Sequence, residues 1–216
     1  TSGTAFAVSD TPTHDASGSV AGFADATGRY LPLVCTLNAA RILDAACRIL
    51  GKTHDEVAQL ALSAKPGANG LTLLPYFEGE RTPNRPTATG VFAGMNLNNS
   101  NPEDIARAMV EGMLAGLADA VDALVALGVG VNRILLIGGA AKNPAVPAIA
   151  SALFGREVLV PPAGEYVADG AAKQAAWALL GRLPTWDLGE VSHHKSEATP
   201  EVMMRYRELK NNTQNW

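Results

Sequence analysis

Gly138, Gly139 and Asn143, in the run ILLIGGAAKNP, are the residues whose types and spacing best suit chemistry on a small ligand. Adjacent glycines turn the chain without a Cβ, so another molecule can lie directly against the main-chain amides. Asn143 before Pro144 reads as a helix N-cap followed by proline at the first helical position. A second cluster opens the chain: Thr1, Ser2 and Gly3 begin the run TSGTAFAVSD, and hydroxyls beside a glycine amide suit phosphate oxygens. Each cluster has a plain structural reading as well. A Gly-Gly pair serves any strand-to-helix connection, and Ser, Thr and Gly serve any hairpin turn. Neither G-x-G-x-x-G nor G-x-x-x-x-G-K-[ST] is present, so neither a dinucleotide fold nor a P-loop is supported.

A third stretch is Pro75 to Pro86, PYFEGERTPNRP, where three prolines stiffen a loop that carries Glu78, Glu80, Arg81 and Arg85. Stiff charged loops serve sites or domain contacts. The competing reading is a surface turn whose Glu and Arg residues pair with one another. His14 with Asp15, and His193 with His194, invite a metal reading that no second ligand pair at helical spacing supports; both read as solvated segments. Asp10, Asp15 and Asp25 read as turn residues, and no Ser-His-Asp set or activated cysteine stands out. No residue of the chain is therefore assigned a catalytic or metal-binding role.

The elements that must position these residues follow from periodicity. Ile134 to Ile137 is a short branched apolar run, expected as a buried strand, and Pro144 to Leu153 continues as an apolar helix. Ligands in open α/β sheets settle at the carboxyl ends of strands, where helix N-termini favour polar or anionic groups. Thr11 to Thr27 predicts hairpins. Leu37, Ala40, Leu43, Ala46 and Ile49 form a helical stripe closed by Gly51. Thr53 with Glu56 predicts a capping box ahead of a short helix to Leu62. Leu71 to Leu74 and Gly90 to Met95 read as strands. The run from Pro102 to Leu127, with Ile105, Met109, Met113, Leu117, Val121 and Leu124 on one side, predicts one long helix, and Ala115, Gly116 and Ala118 would let a neighbour approach closely. Arg156 to Val160 reads as a strand, Gly170 to Leu180 as an alanine-rich helix, Leu183 to Pro200 as irregular, and Thr199 to Lys210 as a last amphipathic helix.

Composition bounds the rest. The 216 residues, 47% hydrophobic, suffice for a sizeable core, and a net charge of −4 offers no basic field for nucleic acid or anionic lipid. Cys35 and Cys47 have no metal-ligand spacing and read as core fillers in a reducing compartment. No apolar run reaches the length of a membrane helix, so the expected location is cytoplasmic, without nucleic acid or membrane as partner. The chain opens without a methionine inside the TSG cluster, and is expected to be a fragment.

Taken together, four stretches resemble the FGGY family of carbohydrate kinases, and within it the second half of those that act on D-xylulose. TSGTAFAVSD resembles the second phosphate motif, PYFEGERTPNRP the Gly-Glu-Arg-Thr-Pro loop, GVFAGMNLNNSNPEDIARAMVEG the family signature, and LIGGAAKN with GEYVADGAAKQAAWA the adenosine motif and the helix closing it. The order and spacing hold from Thr1 to about Leu180. The resemblance implies an α/β domain of the ribonuclease-H-like, actin-like ATPase class, a mixed sheet flanked by helices. Residues 1–190 would be the C-terminal, ATP-binding domain, and 191–216 a polar linker and terminal helix. It implies ATP and Mg²⁺ as cofactors, a pentulose as substrate, the protein's own N-terminal domain as partner, and a homodimer as an admissible assembly. Thr1, Ser2 and Gly3 would face the β- and γ-phosphates; Gly138 and Gly139 would let adenosine lie flat, with Asn143 hydrogen-bonding the adenine. The family's catalytic aspartate precedes the second phosphate motif, so the base is expected upstream of Thr1 and the 216 residues alone are expected to be inactive. A kinase for another sugar, such as ribulose, gluconate or glycerol, and a non-catalytic nucleotide-binding or interaction module are the alternatives.

Overall fold

A computed structural model describes residues 2–187 and 189–214. Its centre is helix α3, Pro102–Ala126, which Asn101 caps by accepting from Asp104 N–H, with proline in the first turn. From Asp104 to Ala115 this helix is buried on almost every side, because elements pack all around it. Strands β1 (Gly3–Phe6), β2 (Ala21–Ala24) and β3 (Tyr30–Thr36) form an antiparallel sheet in the order β1-β3-β2, and β1 and β3 lie against α3. Strand β4 (Thr72–Leu74) pairs with β5 (Val91–Ala93) along the same helix. Helices α1 (Arg41–Leu50) and α2 (His54–Ser63) complete its first half. The second half of the chain adds β6 (Ile134–Leu135), α4 (Ala145–Phe154), β7 (Val158–Val160), α5 (Tyr166–Leu180), β8 (Ser192–His194) and α6 (Pro200–Asn212). Here β6 runs parallel to β7, and β7 antiparallel to β8. The strands are thus divided among three small sheets.

Several expectations hold with shifted detail. The hairpin region forms β2 and β3, and Asp15 is a turn residue: Val20 N–H, then Ser17, hold its carboxyl below the usual carboxylate value. Helix α1 starts at Arg41 and buries Ile42, Leu43, Ala45 and Ala46, whereas Leu37 and Ile49 of the expected stripe are exposed. That stripe had a spacing of three, which drifts off one face of a 3.6-residue helix within two turns. The close approach to α3 is made at Gly112, where a Cβ would sit 2.6 Å from the Leu73 carbonyl oxygen; at Gly116 the Tyr206 hydroxyl leaves 3.6 Å. Ser192–His194, expected within an irregular stretch, is strand β8, and His193 Nδ1 lies 2.9 Å from Glu157. Helix α6 returns to the core with Val202, Met203, Tyr206 and Leu209.

The capping box of α2 is present in both directions, Glu56 N–H to Thr53 Oγ1 at 3.3 Å and Thr53 N–H to Glu56 Oε2 at 2.9 Å. The Thr53 amide foremost, then Lys52, hold the exposed Glu56 carboxyl down at about 2. Because the folded value lies below the unfolded one, this stabilisation is complete above the unfolded value and is lost as pH falls toward the folded one. Glu56→Gln is expected to lower the urea midpoint at about pH 7 and to leave it nearly unchanged near pH 2, where Glu56 is itself losing its charge. A difference that persists at the acid end would tie the loss to something other than the carboxylate charge.

Candidate functional site: the Gly-Gly turn after β6

Strand β6 delivers the chain to Gly138 through Leu136, whose N–H bonds Leu159 O at 2.9 Å. Gly138 stands at φ +100° and ψ 178°, a conformation that only glycine adopts without strain. Residues Gly139–Lys142 then form a single 3₁₀ turn, closed by Ala141 N–H to Gly138 O and Asn143 N–H to Ala140 O. No helix-capping pattern in G-G-A-A-K marks this turn beforehand. Asn143 Oδ1 accepts the Ala145 amide at 3.0 Å and so caps α4. The other end of the amide is nearly free, with Nδ2 3.5 Å from the His54 carbonyl oxygen. Helix α4 buries every residue from Ala145 to Phe154 except Ala148, which anchors the turn from below.

Above the turn there is open space. A Cβ at Gly138 or Gly139 would meet no atom within 4 Å. The turn thus presents bare main chain to open space, beside an asparagine whose Nδ2 has one long contact. Strand β6 itself is less buried than expected: Leu135 and Ile137 are exposed because β7 is its single neighbour among the described residues. Helix α5, expected to close the site, is tied at its start by the Tyr166 hydroxyl donating to Pro162 O. It buries none of its fifteen residues, and Val167 and Leu179 are 88% and 85% exposed.

The other expected site residues are placed elsewhere. Thr1 lies outside the described residues. Ser2 is exposed just ahead of β1, and Gly3 opens that strand on a different sheet from the Gly-Gly turn. The structure gives Gly3 a packing duty: a Cβ there would sit 2.9 Å from Leu117 and 3.1 Å from both Ala39 and the Thr36 hydroxyl. Gly138, Gly139 and Asn143 are thus brought together, while no hydrogen bond joins them to residues 2 and 3 among the described residues.

The proline-rich loop holds residues that sequence reasoning underused. Glu78 pairs with Arg41 across the loop base. Glu80 is 3% exposed, and its carboxylate takes the Leu37 and Arg81 amides, each at 2.7 Å, and Asn38 Nδ2 at 3.0 Å. Asn38 also donates to Gly79 O at 2.6 Å and accepts the Phe77 amide at 3.1 Å. Arg85 lies over the Tyr76 ring, 5.8 Å from its centroid, and reaches Thr213 at 3.4 Å. Neither Glu pairs with an Arg of the loop itself. The available signal was Asn38, an amide placed inside the apolar segment LPLVCTLNAA.

Comparison with known proteins converges on one family. The model of the C-terminal domain of the FGGY family of carbohydrate kinases matches residues 1–179. A xylulose kinase of Streptomyces rubiginosus is 40% identical over 185 residues, 85% of this chain and 37% of that protein. Another, of Streptomyces coelicolor, is 40% identical over 182 residues, 84% of this chain and 36% of that protein. A crystal structure of xylulose kinase from Bifidobacterium adolescentis superposes with a TM-score of 0.88 at 50% identity, covering 97% of this chain and 42% of the other. The chain therefore spans well under half the length of the relatives it matches.

Proposed function

The chain belongs to the FGGY family of carbohydrate kinases, as its C-terminal domain, and from that premise we propose that the protein it represents phosphorylates a pentulose, D-xylulose to D-xylulose 5-phosphate, with this chain as the nucleotide-binding half. The observation that carries the reading is the Gly138–Gly139 turn, open above and flanked by an asparagine with a spare donor. Bound ATP, accompanied by Mg²⁺, supplies the phosphoryl group. Gly138 and Gly139 support the adenosine, Asn143 Nδ2 donates to the adenine, and Ser2 and Gly3, with Thr1 before them, face the phosphates. No carboxylate of this chain is assigned to Mg²⁺ or to proton abstraction; the base and most sugar contacts belong to an N-terminal domain. The division is then a C-terminal domain over residues 1–190 and a linker and terminal helix over 191–216. Phe6 and Phe23 of the first sheet and Val167 and Leu179 of α5 are exposed and available to a covering domain.

Among the described residues no helix is long and apolar enough to cross a membrane. We assign the reaction to the cytoplasm, and light scattering on the intact protein reads out whether it pairs as a homodimer. The test is ATP-dependent phosphorylation of a ketose panel by the intact protein, with D-xylulose expected as a good substrate. Asn143→Ala removes one neutral hydrogen bond and should raise the KM for ATP by roughly twofold to tenfold. Gly138→Val strains the turn and fills the space above it, so a larger rise is expected. Turnover of gluconate or glycerol with D-xylulose refused would sink the sugar assignment; an unchanged KM for ATP in both variants would sink the nucleotide turn.

A further inference from the structure

Three of the four charges on the loop from Pro75 to Pro86 are accounted for by Arg41, by buried amides and by Tyr76 with Thr213; Arg81 is the remainder. Its side chain has no ion-pair or hydrogen-bond partner among the described residues. The backbone around it is held hard. Glu80 accepts the Arg81 amide at 2.7 Å, and paired main-chain bonds at 2.8 Å join Glu80 to Arg85. Beside Arg81 lies a cavity of about 280 Å³. Its lining is drawn from the loop residues Arg81, Thr82 and Asn84, the turn Ser17–Ser19, and Leu33 and Cys35 of β3. The site lies on the β1-β3-β2 sheet, on a different sheet from the Gly138–Asn143 turn.

We propose that this cavity binds a phosphomonoester of a small polyhydroxyl compound, with the Arg81 guanidinium on the phosphate and Thr82, Asn84 and Ser19 on the hydroxyls. A guanidinium fork matches phosphate oxygens two at a time, and an unpaired one held at the rim of a cavity has nothing else to neutralise it. The volume is just below that of drug-sized pockets, so it exceeds the needs of a bare anion and suits a ligand of sugar size. The Ser19 hydroxyl hydrogen can turn to Ser17 Oγ, 2.9 Å away, or into the cavity. Asp15, the carboxylate next to that turn, is already taken up by Val20 N–H at 2.8 Å and by the Ser17 amide and hydroxyl, which blunts its repulsion of an anion.

The test is a titration of the intact protein followed by amide NMR, with D-glucose 6-phosphate, D-glucose and inorganic phosphate as probes. Glucose 6-phosphate is expected to shift the amides of residues 17–21 and 81–84, inorganic phosphate to do so more weakly, and glucose not at all. Arg81→Gln should weaken the first response roughly tenfold or more, since it removes a charge-assisted bidentate contact. Arg81 bonds to nothing through its side chain, so the variant keeps the loop; Asn84→Ala, expected to weaken binding less, serves as the second variant. Shifts confined to Gly138–Asn143, or an unchanged affinity in Arg81→Gln, overturn the site. Equal binding of glucose overturns the anion class, and equal binding of inorganic phosphate overturns the polyhydroxyl part.

Discussion

Arg107→Leu is expected to cost about 3–5 kcal/mol, the range for removing one partner of a buried ion pair, out of a total near 5–15 kcal/mol for a domain. Arg107 and Glu111 sit one turn apart on α3 with side chains 7% and 4% exposed, and Arg107 Nε is 2.6 Å from Glu111 Oε1. That same oxygen accepts the Gly67 amide at 2.9 Å, and Arg205 of α6 donates to Gly67 O at 3.2 Å, so the pair ties α3, the loop after α2 and the terminal helix together. Without Arg107 the buried carboxylate keeps the Gly67 amide and the weaker pull of the Arg205 charge. Burial already pushes the Glu111 carboxyl above its ordinary value, outweighing the pull of Arg107. A raised folded value means that stability falls as pH rises through the interval above the unfolded one. The loss in Arg107→Leu should therefore be larger near neutrality than in acid, where Glu111 takes up a proton. Arg107→Leu with Glu111→Leu should recover part of it, because apolar groups of similar volume replace both charges, though Gly67 N–H loses its acceptor at about 1–3 kcal/mol. Urea unfolding of the three chains decides. A single variant that loses under about 1 kcal/mol would mean that water reaches the pair.

The existence of the helices was legible because their signals are local. Thr53 with Glu56 ahead of α2 and Gly51 after α1 are caps whose chemistry acts within one turn, and both appear at those places. What each helix buries was legible less well. A one-sided stripe was expected for α3, yet the helix is enclosed by two sheets and four helices, and a sequence does not state how many neighbours will arrive. Gly112 illustrates the limit. Its need for a missing side chain comes from the Leu73 carbonyl, thirty-nine positions earlier in the chain, and nothing beside Gly112 distinguishes it from Gly116.

The site divides in the same way. The Gly-Gly turn and Asn143 could be read because strand, turn and cap are consecutive, and the cap is observed through Ala145. Gly3 could not be separated from a packing glycine, since its neighbours Thr36, Ala39 and Leu117 are distant in sequence. The proline-rich loop was recognised as unusual, but its Glu and Arg residues were open to pairing among themselves. The structure pairs Glu78 with Arg41, seats Glu80 on the Leu37 and Arg81 amides and Asn38, lays Arg85 over Tyr76 of the same loop, and gives the Arg81 side chain no partner among the described residues, so no Glu of the loop meets an Arg side chain of the loop.

Glu80 is the residue on which that loop depends, and Glu80→Ala is expected to destabilise the chain by about 3–5 kcal/mol, the range of the exceptional single substitutions. The truncation would leave the Leu37 and Arg81 amides and one Asn38 donor without an acceptor, at about 1–3 kcal/mol for each group that water cannot reach. Glu80→Gln should cost less, because the amide oxygen can still serve the two backbone donors. Its nitrogen, however, would then face Asn38 Nδ2, donor against donor, and Asn38 cannot turn over without breaking its bonds to Gly79 O and Phe77 N. Adding Asn38→Asp to Glu80→Gln moves the acceptor across the pair: the new carboxylate takes the glutamine N–H and the Phe77 amide, while the oxygen that replaces Nδ2 loses the bond to Gly79 O and must draw back from it. The double variant is expected to stand nearer the parent chain than Glu80→Gln alone, by urea midpoint. If the two substitutions simply add, the Glu80–Asn38 contact is not what orders the loop, and the placement of Arg81 beside its cavity must rest on the prolines.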